Sequence, residues 1–248
     1  MARTFDGIND QIAFGSDAAC DQLAAFTAYT LINLGSTITT EQPLMTKFTS
    51  GFLGKLYLLF SSSASNSIGC YMNRVGGNDC YAFSNNGVIT NSTWTVVVST
   101  WAGSGAAPKI YTCAIGGTLT EVGYASTNIG SGTFWDDSPA TLRLGARDAA
   151  DVWFAHGMAD SALWNRVLNS GELADLGTGD SPEFMPSGLV FASRITGSAN
   201  PEINTTGGTN GTVTGTTLLT HPSVTYPSGG GGSAVAAKMR SYMRRRAA

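Results

Sequence analysis

A chain of 248 residues, 42% apolar and 12% charged, can bury a sizeable core and is too apolar to remain disordered. Its 31 glycines, with abundant Ser, Thr and Asn, argue against a helical protein. The net charge of −3 divides into −8 over residues 1–227 and +5 over residues 228–248, which excludes a protein that binds nucleic acid over its whole surface.

The opening MARTFDGIND has no apolar stretch of the secretory type, and no later run is long enough to span a bilayer. The expectation is a chain made and kept in the cytosol. QIAF (11–14) reads as a strand and SDAACDQLAAF (16–26) as a turn of helix. The strand pattern continues through FTAYTLINL (26–34), KLYLLF (55–60), CYMN (70–73), WTVVVST (94–100), KIYTCAI (109–115), TLRLG (141–145) and GLVFA (188–192). These runs are short, rich in β-branched and aromatic residues, and bounded by Gly, Asn, Ser or Asp. In KIYTCAI, Ile110, Thr112 and Ala114 face one way and Tyr111, Cys113 and Ile115 the other, the alternation of an antiparallel sheet packed on a second sheet. VGGND (75–79), SNNGV (84–88) and AIGGTL (114–119) supply Gly or Asn where turns require positive φ. One helix is predicted at LNSGELADL (168–176), with Asn169 as N-cap and Glu172 as the reciprocal partner of a capping box. With many short strands and no long internal repeat, the sequence predicts an all-β, two-sheet antiparallel jelly-roll sandwich.

Cys20, Cys70, Cys80 and Cys113 lack CxxC spacing, which argues against zinc. Cys70 and Cys80 flank a turn, which leaves open a disulfide across a hairpin, but in a reducing cytosol the expectation is four buried thiols.

Two stretches carry a resemblance. Residues 3–15 contain FDG-x-x-D, and residues 141–176 contain LRLG, then G-x-x-D, then W-N-R-x-L-x-x-x-E. The matching residues are Phe5, Asp6, Gly7, Asp10, Leu142, Arg143, Leu144, Gly145, Gly157, Asp160, Trp164, Asn165, Arg166, Leu168 and Glu172. The set resembles the laminin-G-like jelly-roll domains of the concanavalin A-like lectin and glucanase superfamily, with residues 91–117 as the central segment. Ser161 stands where such domains commonly carry an acid, and Thr95 where a His often follows the Trp. Residues 188–217 resemble a segment commonly found before the FDG motif. Residues 188–192 and 212–214 are therefore expected to complete the same sandwich. A sandwich over residues 1–227 is expected, and the composition beyond it reads as a Gly-rich linker over 228–233 and a basic tail over 234–248.

Glycosidases of this fold set their acids on one strand as E-x-D-x-x-E, a spacing this chain lacks, so a non-enzyme is expected. WDDS (135–138) and RDAAD (147–151) read as solvated loop acids, or as oxygen ligands for calcium through Asp136, Asp137, Asp148 and Asp151. Asp6 and Asp10 form a second acidic group. His156 and His221 read as structural. Trp101, Trp135 and Trp153, at strand ends or in loops, are candidate platforms for the CH face of a sugar, while Trp94 and Trp164 lie in the motifs and read as packing residues.

In the tail, Val235, Met239, Tyr242 and Met243 form an apolar stripe opposite Lys238, Arg240 and Arg244, with Arg245 and Arg246 following. So short a piece is marginal as a lone helix. It is expected to order on an acidic protein groove, nucleic acid or anionic membrane, or to serve only as a solubilising tail. A sandwich of this kind without an export signal, ending in a tethered basic peptide, points to a virion surface protein assembled in the host cytoplasm. Its tail would dock on a capsid or tail protein of the same particle, its loops would stabilise the particle or contact host glycans, and homo-oligomers are expected. The alternatives are a free carbohydrate-binding module and, third, a glycoside hydrolase or polysaccharide lyase with an unusual site.

Overall fold

The computed structural model describes residues 1–49, 53–60, 66–147, 152–197 and 200–227. Two antiparallel sheets carry the fold. The first runs in the order Thr120–Glu121, Lys109–Ala114, Trp94–Trp101, Phe26–Asn33, Gly157–Trp164, Ala2–Thr4, Thr217–Leu219. Ala2–Thr4 and Leu189–Ser193 share the outer edge of Gly157–Trp164 end to end, pairing with its first and second halves. The second sheet runs Tyr124–Asn128, Cys80–Ser84, Ile68–Met72, Leu53–Phe60, Gln42–Thr49, Leu142–Leu144, Gln11–Ala13, Thr212–Thr214. A two-stranded ribbon pairs Arg74–Val75 with Thr133–Phe134. Residues 189–193 and 212–214 thus each extend a sheet built from earlier parts of the chain. The buried Arg3 guanidinium, 2.7 Å from Glu202, ties the segment between them to the first strand.

Water is excluded on two sides of the first sheet. Between the sheets, Ile12, Phe14, Ala28, Ile32, Met45, Ile68, Val97, Leu144, Met158 and Phe191 form the main core. On the far side, Tyr29, Leu31, Val96, Val98 and Trp164 form a second cluster beneath Leu168, Leu176 and Met185. Phe26–Asn33 is therefore buried on both faces, which is why its apolar residues do not alternate strictly with polar ones.

The lid over that second cluster depends on Ser170–Gly177, the one α-helix among the described residues. Asn169 Oδ1 accepts from Glu172 N at 3.0 Å and Glu172 Oε2 accepts from Asn169 N at 2.9 Å, the capping box read from the sequence. The buried Glu172 carboxylate is also clasped by both terminal nitrogens of Arg166, at 2.7 and 2.6 Å. Trp164 Nε1 donates to Met185 O at 2.8 Å. The WNR…E motif is thus a structural clamp that seats the helix.

The two earlier motifs meet in space. Asp6 Oδ1 accepts from Ile8 N at 2.8 Å, and Asp10 Oδ2 accepts from Asp6 N at 2.9 Å, so both carboxylates brace the turn that contains Gly7. Gly7 has φ +77°, and a Cβ there would lie 2.7 Å from that of Ala155. Gly145, at φ +79°, leaves the space that the Phe5 ring fills. FDG and LRLG occur together because a side chain at position 145 would displace the Phe5 ring.

Over 16–26 the helical turn is limited to a 3₁₀ turn, Ala18–Cys20, capped by Asp17. The four cysteines are free thiols. Cys70 pairs in register with Ala82, and Cys80 with Met72, so the two sulfurs do not oppose each other, against the disulfide reading. Burial pushes the Cys70 thiol up to about 12. Among the described residues no helix is long and apolar enough to cross a membrane.

Candidate functional site

The turn over residues 5–10 separates two clefts on one rim. The first, of about 390 Å³, is lined by Gly7, Thr40, Glu41, Gln42, Val152, Trp153 and Ala155. Its walls come from two places in the chain. Glu41 and Gln42 stand at the start of the strand Gln42–Thr49. Trp153 stands on the return from LRLG, where it bridges to Ala146 and where Phe154 N donates to Gly145 O at 2.8 Å. Two side-chain contacts lock the walls together. Gln42 Oε1 accepts from Ala155 N at 3.0 Å, and Arg147 Nη1 lies 2.9 Å from Glu41 Oε1. A half-buried indole beside a carboxylate, an amide and a hydroxyl is a surface that can stack on a sugar ring and bind its hydroxyls.

The second cleft, also about 390 Å³, is lined by Thr4, Phe5, Asp6, Asn9, Asp10, Gly215, Thr216 and Thr217. Its carboxylates are engaged by the turn itself, and Arg3 Nη1 donates to Thr216 Oγ1 at 2.7 Å.

The other sequence-derived candidates fall elsewhere. Trp101 is 2% exposed, with Nε1 donating to Ala106 O at 3.0 Å and its ring 5.0 Å from that of Phe134. It is a core residue, not a platform, because the ribbon strand Thr133–Phe134 covers it. Trp135 is half-buried, and its carbonyl accepts from Gln22 Nε2 at 3.2 Å, away from either cleft lining.

Asp136 and Asp137 are engaged by neighbouring protein groups. Asp136 Oδ1 accepts from the Ser138 hydroxyl at 2.6 Å and from Ser138 N at 3.0 Å, bonds that hold its carboxyl below the usual value. Buried Asp137 accepts from Gln22 N at 2.8 Å. The oxygen-lined space beside them holds an ammonium group. Lys47 Nζ lies 2.6 Å from Asp21 Oδ1, donates to Ala140 O at 3.1 Å and donates to Asp137 O. Asp148 and Asp151 lie outside the described residues, as do the linker and the tail residues Lys238, Met239, Arg240, Tyr242, Met243, Arg244, Arg245 and Arg246. Among the described residues no three His, Cys, Asp or Glu side chains converge as metal ligands.

His156 accepts from Gly35 N at 3.2 Å through Nδ1, and burial lowers its pKa, both of which favour the neutral ring. His221 belongs to a cluster the sequence did not reveal. The Tyr226 hydroxyl donates to Asp160 Oδ1 at 2.5 Å, and His221 Nε2 lies 3.5 Å from the same oxygen. Asp160 sits at a bulge, skipped by the registers on both sides of its strand, and its Oδ2 is buried without a hydrogen-bond partner among the described residues.

No protein-family model matches the chain, and no curated protein matches its sequence. Its fold is similar to that of a Bacteroides ovatus protein of proposed carbohydrate-binding function, with TM-score 0.56 and 15% identity over 88% of this chain and 59% of that one. It is also similar to the enzymatically active domain of tailspike protein 2 from bacteriophage CBA120, with TM-score 0.53 and 11% identity over 80% of this chain and 34% of that one. The chain spans less than two thirds of the length of either protein. At such identities the likeness is one of fold.

Proposed function

We propose that this chain is a non-enzymatic, glycan-binding sandwich of the laminin-G-like, concanavalin A-like kind, carried on the surface of a virus particle. The Trp153 cleft carries the reading: the indole, the Glu41 carboxylate, the Gln42 amide and the Thr40 hydroxyl line one open space of about 390 Å³. The fold's likeness to a protein of proposed carbohydrate-binding function supports it.

Removing the indole is expected to cost about 2 kcal/mol of binding, roughly thirty-fold in Kd, as for other aromatic anchors. Trp153→Ala on a glycan array and in titration calorimetry tests this, with Trp135→Ala expected to bind as the parent does. Retention of full affinity by Trp153→Ala, or an array on which the parent binds nothing, overturns the assignment.

The particle assignment draws on the fold's likeness to a phage tailspike domain and on the +5 charge of residues 228–248 against a body of −8. In this reading residues 234–248 dock on a capsid or tail protein, the sandwich faces outward as a homo-oligomer, and assembly takes place in the host cytoplasm. Deleting residues 229–248 should abolish recovery of the chain in purified particles while leaving array binding intact. Array binding by a chain that never enters particles instead identifies a free carbohydrate-binding module.

A further inference from the structure

We infer that the Trp153 cleft selects uncharged sugars with adjacent hydroxyl groups and rejects sialylated, uronate-bearing or sulfated glycans, an inference that rests on the glycan-binding reading. Among the described residues lining the cleft, Glu41 is the one charged side chain. Its ion-pair partner Arg147 does not line the cleft and is the more deeply seated of the two, 13% exposed against 29% for Glu41. The guanidinium therefore backs the carboxylate, fixing its orientation, while the carboxylate forms the wall a ligand meets.

An ionised carboxylate only accepts hydrogen bonds, and each of its oxygens has two acceptor positions. Pairing with Arg147 is thus compatible with accepting from two neighbouring sugar hydroxyls. The Gln42 amide complements it. With Oε1 held by Ala155 N, the polar group that remains is its Nε2, a donor to a ring or hydroxyl oxygen. An anionic sugar would instead place like charge against Glu41 in a body already carrying −8. Arg147 offsets part of that repulsion, and the remainder is expected to cost about tenfold in affinity at low salt and less as salt is added.

The test uses the full chain against matched oligosaccharides that share one backbone and differ only in a terminal sialic acid or sulfate. The uncharged member should bind roughly tenfold more tightly at low salt. The ratio should shrink as sodium chloride rises through the Debye-screening range. Glu41→Gln, which keeps the shape and one acceptor, should narrow the ratio by improving binding of the acidic member. Equal or better binding of the acidic member by the parent overturns the inference while leaving glycan binding intact. So does a ratio unmoved by both Glu41→Gln and salt. Failure of every oligosaccharide to bind removes the glycan reading and this inference together.

Discussion

Replacing Lys47 by methionine is expected to lower the free energy of unfolding by about 3–5 kcal/mol, the usual cost of leaving one half of a buried ion pair without its partner. The Lys47 side chain is 1% exposed and reaches from the strand Gln42–Thr49 to the Asp21 carboxylate and to two carbonyls of the 137–140 turn. Methionine fills similar volume, so the loss is electrostatic and not that of a cavity. Asp21 would be left without the Lys47 ammonium, and the carbonyls of Asp137 and Ala140 would lose their shared donor. Asp21→Asn in the Lys47→Met background should recover part of the loss, because removing both charges costs less than removing one. Urea denaturation of the parent, both single variants and the double variant measures this as a coupling energy, expected within about 0.5–3 kcal/mol. A Lys47→Met midpoint within experimental error of the parent would show that the pair contributes nothing net to the fold.

Lys47 also marks where the sequence stops being readable. Its partners in the 137–140 turn are 90 and 93 residues away, and no local pattern distinguishes a buried lysine from a solvated one. The strand that carries it was itself missed. Pro43 and the polar Thr46 and Lys47 broke the expected alternation, and the ladder accommodates them with a register shift between Pro43 and Met45. Tyr124–Asn128 escaped for a related reason: it is an edge strand, largely exposed and without an apolar face. Strands with a real inside and outside, such as Lys109–Ala114, were legible because burial imposes the period of two. The capping box at Asn169 and Glu172 was legible because it is local, closing within three residues. The candidate site was half visible. Trp153 could be nominated by type and position, but Gln42 meets Ala155 across 113 residues and Glu41 meets Arg147 across 106. Trp101 failed for the converse reason, since a distant ribbon covers what sequence alone places at an open strand end.

The Asp160 cluster, which holds the segment over 221–226, is expected to loosen as pH rises. Burial raises the Asp160 carboxyl above its ordinary value, against hydrogen bonds from His221 and Tyr226 that pull it down. Burial alone would lower His221, but its contacts with Asp160 and the Pro222 carbonyl outweigh that, and the net shift is upward. Arg194 is the other cation in place, lying 4.5 Å over the Tyr226 ring and paired with Glu183, and buried Tyr29 completes the surroundings. Both Asp160 and His221 thus hold protons more tightly in the folded chain than in the unfolded one. The His221 contribution is complete below the unfolded value near ~6.5 and is lost as pH rises through the folded value. The Asp160 contribution runs the same way at lower pH. His156, shifted downward, acts in the opposite sense, and its contribution is already complete above about pH 7, which separates the two histidines. The urea midpoint of the parent should therefore fall as pH rises from about 6.5 to 7.5, below the range near about 8.5 where the buried thiols add their own slopes. Asp160→Asn should flatten that fall, because a neutral amide no longer favours the protonated imidazole. Tyr226→Phe, which removes the 2.5 Å donor from a buried carboxylate, should cost about 1.5–3 kcal/mol at any pH in this range. Parallel pH profiles for the parent and Asp160→Asn would mean that His221 does not feel Asp160 and that the segment over 221–226 is held by packing alone.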